Sequence, residues 1–138
     1  RPALGVSSVD CRRARYTYLR KSVADLDTKN VTPVLGTAPG ALKNMPSPDC
    51  IFIGGSGGGI HDILAYCTRR QNRDGRIVMN CVTVETLADA VAFFRSNRCV
   101  YSVTSVQLSR TESESHPGIM RAENPVFIIT AHLRSAGS

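Results

Sequence analysis

Tryptophan is absent, and aromatic residues make up only 6% of the 138 positions. That leaves little material for stacking bases, and no recognised nucleic-acid motif is present. Apolar runs are short. Residues 51–53 and 126–129 have strand length, and no run comes near the roughly 20 residues that a membrane helix needs. No CxxC pair and no metal-ligand spacing joins Cys11, Cys50, Cys67, Cys81 and Cys99. Their odd number, and the apolar segments in or beside which three of them sit, point to reduced core thiols in a cytoplasmic protein. His61, His116 and His132 are scattered, so no metal site is expected. The chain opens on Arg1 without a charged-then-apolar leader, and it is expected to start inside a longer polypeptide.

What is present is an ordinary globular composition, 42% hydrophobic, with a formal charge of +6. The length suits one domain, residues 1–138. The charge favours an anionic partner, whether nucleic acid, phosphate or a polycarboxylate. Arg12, Arg13, Arg15, Arg20 and Lys21 share one helical segment, and Arg69, Arg70, Arg73 and Arg76 gather near a turn. Solvated helix faces account for most of this pattern.

Hydrophobic periodicity orders the chain. Residues 4–9 read as a short strand ended by Asp10. Tyr16, Leu19, Val23 and Leu26 then form one stripe of a helix. A second strand spans 31–35, and one helical turn is expected over 41–44. The continuous apolar run 50–53 predicts a parallel strand covered on both faces. Ile60, Ile63, Leu64 and Cys67 mark a helix, Asp74-Gly75 a turn, and 76–82 another strand. Thr83 can cap the next helix, with Val84, Leu87, Ala88, Val91 and Phe94 as its core face. Alternation over 100–110 places Val100, Ser102, Thr104, Val106 and Leu108 on one face, and after the polar stretch 111–125 a last strand runs over 126–133. The order predicts an α/β sandwich, mostly parallel, closed by an antiparallel hairpin.

Residues 54–59 hold five glycines between a strand and a helix. Such a loop lets backbone N–H groups approach a ligand at a helix N-terminus. No Lys-Ser or Lys-Thr follows, which excludes a phosphate-binding P-loop. The acidic partner of a dinucleotide site is also missing. Ligands of open α/β sheets bind beyond the carboxyl ends of strands, where Asp10, residues 36–39, 54–58 and 80–83 all fall. A carboxylate in the position of Asp10 can accept from both hydroxyls of a ribose, or it can cap the helix that follows.

Three blocks carry a resemblance: Gly36-Thr37-Ala38-Pro39-Gly40-Ala41-Leu42, then residues 48–58 (PDCIFIGGSGG), then residues 74–86 (DGRIVMNCVTVET). In order and spacing they resemble the decarboxylating precorrin C5,15-methyltransferase family, whose pattern runs G-x-A-P-x-A-L, P-D-x-x-F-[IV]-G-G-x-G-G and G-G-R-[IL]-V-x-N-A-V-T-[LV]-E. Ser109-Arg110 and residues 123–126 also match its closing hairpin, so the resemblance covers nearly the whole chain. It implies a Rossmann-like class I methyltransferase fold whose first β-α unit would precede Arg1. It implies S-adenosylmethionine as cofactor and an anionic tetrapyrrole as substrate, methylated at C15 with loss of CO2 from the C12 acetate.

By position, Asp10 matches the ribose carboxylate, and Thr37 and Ala38 match residues beside the adenine. Gly54, Gly55, Ser56, Gly57 and Gly58 match the loop at the methionine end. Asn80, Thr83 and Glu85 match the loop facing the tetrapyrrole, and Arg110 is a candidate for a substrate carboxylate. Helix capping is the plainer role for Thr83 and Glu85. No catalytic acid or base is assigned, since an electron-rich macrocycle supplies the nucleophile; His61 beside the loop is the one candidate proton donor. A C5-methylating partner domain and a homo-oligomer are expected, and nucleic acid and membrane are not. Thr37 departs from a frequent acidic residue and Cys81 from the usual alanine. A non-catalytic binding or assembly module of the same fold is the competing reading.

Overall fold

The computed structural model describes residues 4–55, 57–111 and 118–132. The chain divides into two compact units, residues 1–46 and 47–138.

In the first unit, strand β1 (Val6–Asp10) leads through helix α1 (Arg13–Asp25) to strand β2 (Val31–Leu35). The strands pair in parallel, Val6 with Val31 through Asp10 with Leu35. Pro33, opposite Ser8, has no N–H to donate, which suits a strand at an edge. Tyr16, Leu19 and Val23 are half-buried, as their stripe predicts, but Leu26 is 73% exposed. The helix stops at Asp25, and Asp27 turns back at φ 48°, so the periodicity no longer governs Leu26. A 3-10 turn covers Gly40–Leu42, where a single turn was expected.

The second unit contains β3 (Cys50–Ile53), α2 (Ile60–Arg70), β4 (Arg76–Cys81), α3 (Val84–Ser96), β5 (Val100–Val106), β6 (Ser109–Thr111), β7 (Met120–Ala122) and β8 (Val126–His132). Its sheet runs β3-β4-β8-β5, parallel between β3 and β4 and antiparallel on both sides of β8. The closing antiparallel pair is thus present, with β8 inserted between β4 and β5.

The core lies on one face of this sheet. Ile53, Ile77, Met79, Cys81, Ile129 and Ala131 are buried with Ile60, Ile63, Leu64 and Cys67 of α2 and Ala90, Phe93 and Phe94 of α3. Phe94 is fully buried and stacks on Tyr101 at 6.1 Å. Side chains alternate across a strand, so Phe52, Val78 and Asn80 share the opposite face. Phe52 is 69% exposed, which corrects the expectation of a β3 covered on both faces. The α3 stripe also needs correction, because Val84 and Ala88 are exposed while Ala90, Phe93 and Phe94 are buried. The alternation read over 100–110 is broken in fact: β5 ends at Val106, Leu108 lies outside it, and Ser109–Thr111 joins β7 as a separate ribbon. His116 and the rest of residues 112–117 lie outside the described residues.

Candidate functional site

In the first unit the β1–β2 ladder continues past Leu35, with the Gly36 amide donating to the Asp10 carbonyl at 3.1 Å. Residues 36–38 are thereby held beside the end of β1. Gly36 is required there, since a Cβ would lie 2.7 Å from that of Ala41. Thr37 accepts from the Ala41 amide at 2.9 Å through its carbonyl, and the Ala38–Pro39 peptide is cis. Asp10, Thr37 and Ala38 are therefore brought together. Asp10 does not cap α1. The N-cap is Arg12, without a side-chain cap, and Asp10 Oδ1 accepts from the Arg12 amide at 2.8 Å. Among the described residues its Oδ2 has only the Arg15 guanidinium, at 3.9 Å.

In the second unit the glycine loop takes conformations that an L side chain resists. Gly55, Gly57, Gly58 and Gly59 stand at φ 148°, 60°, 99° and 67°, and Gly59 is the left-handed N-cap of α2. Cβ atoms built on these four would meet nothing within 4 Å. The loop backbone is thus open to a ligand. Beside it lies a cavity of about 300 Å³ lined by Gly54, Gly55, Gly57, Gly58, Asn80 and Thr83, with Cys81, Val82 and Thr86. Ser56 falls outside the described residues.

Sequence reasoning found six of these nine lining residues; Cys81, Val82 and Thr86 it did not assign. The i+3 spacing from Thr83 could have flagged Thr86. The Thr83 hydroxyl accepts from the Thr86 amide at 3.2 Å and lies 2.9 Å from the Thr86 hydroxyl, so the capping role is present as well as the cavity position. Glu85 is exposed in the first turn of α3 and is not among the lining residues, while favouring the positive end of that helix. Arg110 stands apart on β6, exposed, with Nε 3.6 Å from Glu123 Oε1. His61 packs edge-on against Phe93 at 5.2 Å, and it too is absent from the cavity wall.

Burial pushes the Cys81 thiol up, so the cavity wall is neutral there. Asn80 Oδ1 is shielded from solvent and has no hydrogen-bond partner among the described residues. No group of three His, Cys, Asp or Glu able to hold a metal ion occurs among them either.

The chain is similar in fold to the SAM-dependent O-methyltransferase TM0748 of Thermotoga maritima, with a TM-score of 0.69 over 97% of this chain and 52% of that one, at 10% identity. The architecture is α/β and its fold is that of the class I methyltransferases.

The family described as the precorrin methyltransferase domain matches residues 1–132, and the chain belongs to it. A crystal structure of precorrin-6y C5,15-methyltransferase from Geobacter metallireducens superposes with a TM-score of 0.86 and 33% identity, over 93% of this chain and 67% of that one. A probable cobalt-precorrin-6B C(15)-methyltransferase (decarboxylating) of Pyrobaculum calidifontis is 35% identical over 102 residues, 74% of this chain and 52% of the relative. The chain thus spans about half the length of that curated relative.

Proposed function

We propose that the chain acts in S-adenosylmethionine-dependent C-methylation of a precorrin, at C15 with loss of CO2 from the C12 acetate, in cobalamin biosynthesis. The observation that carries this reading is the glycine loop, whose open backbone lines a cavity together with Asn80 and Thr83. Family membership supports it, as does the activity in the name of the Pyrobaculum relative.

The residues suit the cofactor. Asp10 Oδ2 accepts no hydrogen bond from the backbone turn that holds Oδ1, which leaves it for ribose hydroxyls. Thr37 and Ala38 would flank the adenine, and residues 54–58 would take the methionine end against backbone N–H groups. When bound, S-adenosylmethionine supplies a methyl group already activated on a sulfonium sulfur. The chain's share of the chemistry is then orientation of that carbon in line with the ring carbon. The glycine loop permits the close approach, because any side chain at residues 57 or 58 would occupy ligand space. Asn80, Thr83 and Glu85 would face the tetrapyrrole, and Arg110 would meet one of its carboxylates. The net charge of +6 favours such a polycarboxylate. No residue needs to act as a strong base, since the macrocycle is the nucleophile.

Under this reading the two units work as one methyltransferase domain in the cytoplasm, as part of a homo-oligomer, beside a C5-methylating partner. No helix among the described residues is long and apolar enough to cross a membrane. The test is incubation of the chain with S-adenosylmethionine and a C15-unmethylated precorrin, followed by mass spectrometry. The expected product gains one methylene mass and loses one CO2. An unchanged tetrapyrrole in the presence of bound cofactor contradicts the reading.

A further inference from the structure

Thr86 stands in the first turn of α3, half-buried, in the wall of the cavity beside the glycine loop. Its amide is already used, donating to the Thr83 hydroxyl at 3.2 Å, so its side chain is what it can offer a ligand. The Thr83 hydroxyl donates in turn to the Thr86 hydroxyl oxygen at 2.9 Å. Two hydroxyls joined by one bond leave one proton over, and in this arrangement it belongs to Thr86.

The threonines of α1 and α2 dispose of that proton locally. Thr17 donates to the Arg13 carbonyl and Thr68 to the Leu64 carbonyl, each four residues back and each at 2.9 Å. Four residues back from Thr86 is Val82, which precedes α3, and the Thr86 hydroxyl has no such acceptor among the described residues. A hydroxyl that accepts a bond becomes a stronger donor, so the relay from the Thr86 amide through Thr83 sharpens the last O–H.

Elsewhere in the same wall the Gly55, Gly57 and Gly58 amides donate to no described residue. No described lining residue carries a charge, and Glu85, the acid next to Thr86, is exposed and not among them. A neutral wall that presents donors suits an acceptor group. An ionised carboxylate gains most there, since a hydrogen bond to a charged oxygen is the stronger kind.

We propose that the Thr86 hydroxyl, primed by Thr83, donates a hydrogen bond to a peripheral carboxylate of the bound tetrapyrrole and so orients the macrocycle at the glycine loop. This rests on the functional reading above and adds to it a substrate-contacting residue. The carboxylate at the methionine end of the cofactor has the same chemistry, and separate titrations distinguish the two sources.

The full chain, Thr86→Val and Thr86→Ser are titrated calorimetrically with S-adenosylhomocysteine and with a metal-free corrinoid polycarboxylic acid, and unfolded thermally in parallel. Valine copies the shape of threonine without the hydroxyl; serine keeps the hydroxyl. The expected result is corrinoid affinity weaker by about tenfold or more in Thr86→Val and within about threefold of wild type in Thr86→Ser. Affinity for S-adenosylhomocysteine and the unfolding midpoint should stay as in wild type, and Thr86→Ala replaces the valine variant where that does not fold. Corrinoid affinity in Thr86→Val equal to wild type overturns the proposal. A loss in Thr86→Ser as large as in Thr86→Val overturns it too, because shape rather than the hydroxyl then matters. Loss confined to S-adenosylhomocysteine overturns the assignment to the tetrapyrrole, and loss of both ligands with a lowered midpoint leaves Thr86 only its place in the helix cap. A wild-type chain that binds no corrinoid removes the functional reading itself, and this contact with it.

Discussion

The amide of Gly36 donates to the carbonyl of Asp10 at 3.1 Å, one step beyond the last pair of the β1–β2 ladder. This bond ties the loop expected near the adenine to the carboxylate expected at the ribose. Asp10→Asn keeps an oxygen for the Arg12 amide and removes the charge. S-adenosylhomocysteine affinity should therefore fall by about tenfold or more, the worth of a charged hydrogen bond. The melting temperature should barely move. Calorimetry and a thermal scan read the two effects, and an unchanged affinity would remove Asp10 from cofactor binding.

Gly57, at φ 60°, leaves its Cβ position open. Gly57→Val puts a β-branched side chain into the left-handed region, at a cost of roughly 1–2 kcal/mol, and into the space a ligand would use. Ligand binding should be lost while the core stays folded. Denaturant titration and calorimetry on one sample separate the two effects.

Thr83 is both a cavity residue and the N-cap of α3. Thr83→Ala should cost about 0.5–2 kcal/mol in urea unfolding, and Thr83→Ser should recover most of it. Full stability in the alanine variant would contradict the capping assignment.

Much of this arrangement was legible in the residues themselves, for local reasons. The strand–glycine–helix order at 50–60 follows from backbone conformations that few residues besides glycine tolerate, and the Thr83 cap from a hydroxyl that can accept from a free helix N–H, so residue identity reveals both. The α3 face was misread at Val84 and Ala88 because several apolar residues compete for one stripe, and the packing of Phe93 and Phe94 decides the phase. The insertion of β8 between β4 and β5 is a pairing of residues far apart in the chain, which no local pattern encodes. The β6–β7 ribbon is equally non-local, and its strands, SRT and MRA, are too short to show alternation.

Burial pushes the Cys67 thiol up to about 11, against an ordinary value of 9.0. The folded state therefore holds its proton where the unfolded chain releases it. Stability from this group is fully present below pH 9 and is lost as pH rises from 9 through 11, at up to about 1.4 kcal/mol per unit. Desolvation raises Cys81 and Cys99 too, so the slopes add. Cys67→Ala should flatten the alkaline limb of a pH–stability curve while lowering its plateau. A thiol reagent at pH 8 should modify exposed Cys11 and Cys50 quickly and spare Cys67 and Cys81 until unfolding.

Amide hydrogen exchange with and without S-adenosylhomocysteine tests most directly whether the glycine loop takes the cofactor. The expected outcome is slowed exchange in residues 54–59 that saturates with ligand. Unchanged exchange there despite saturating ligand would contradict the account.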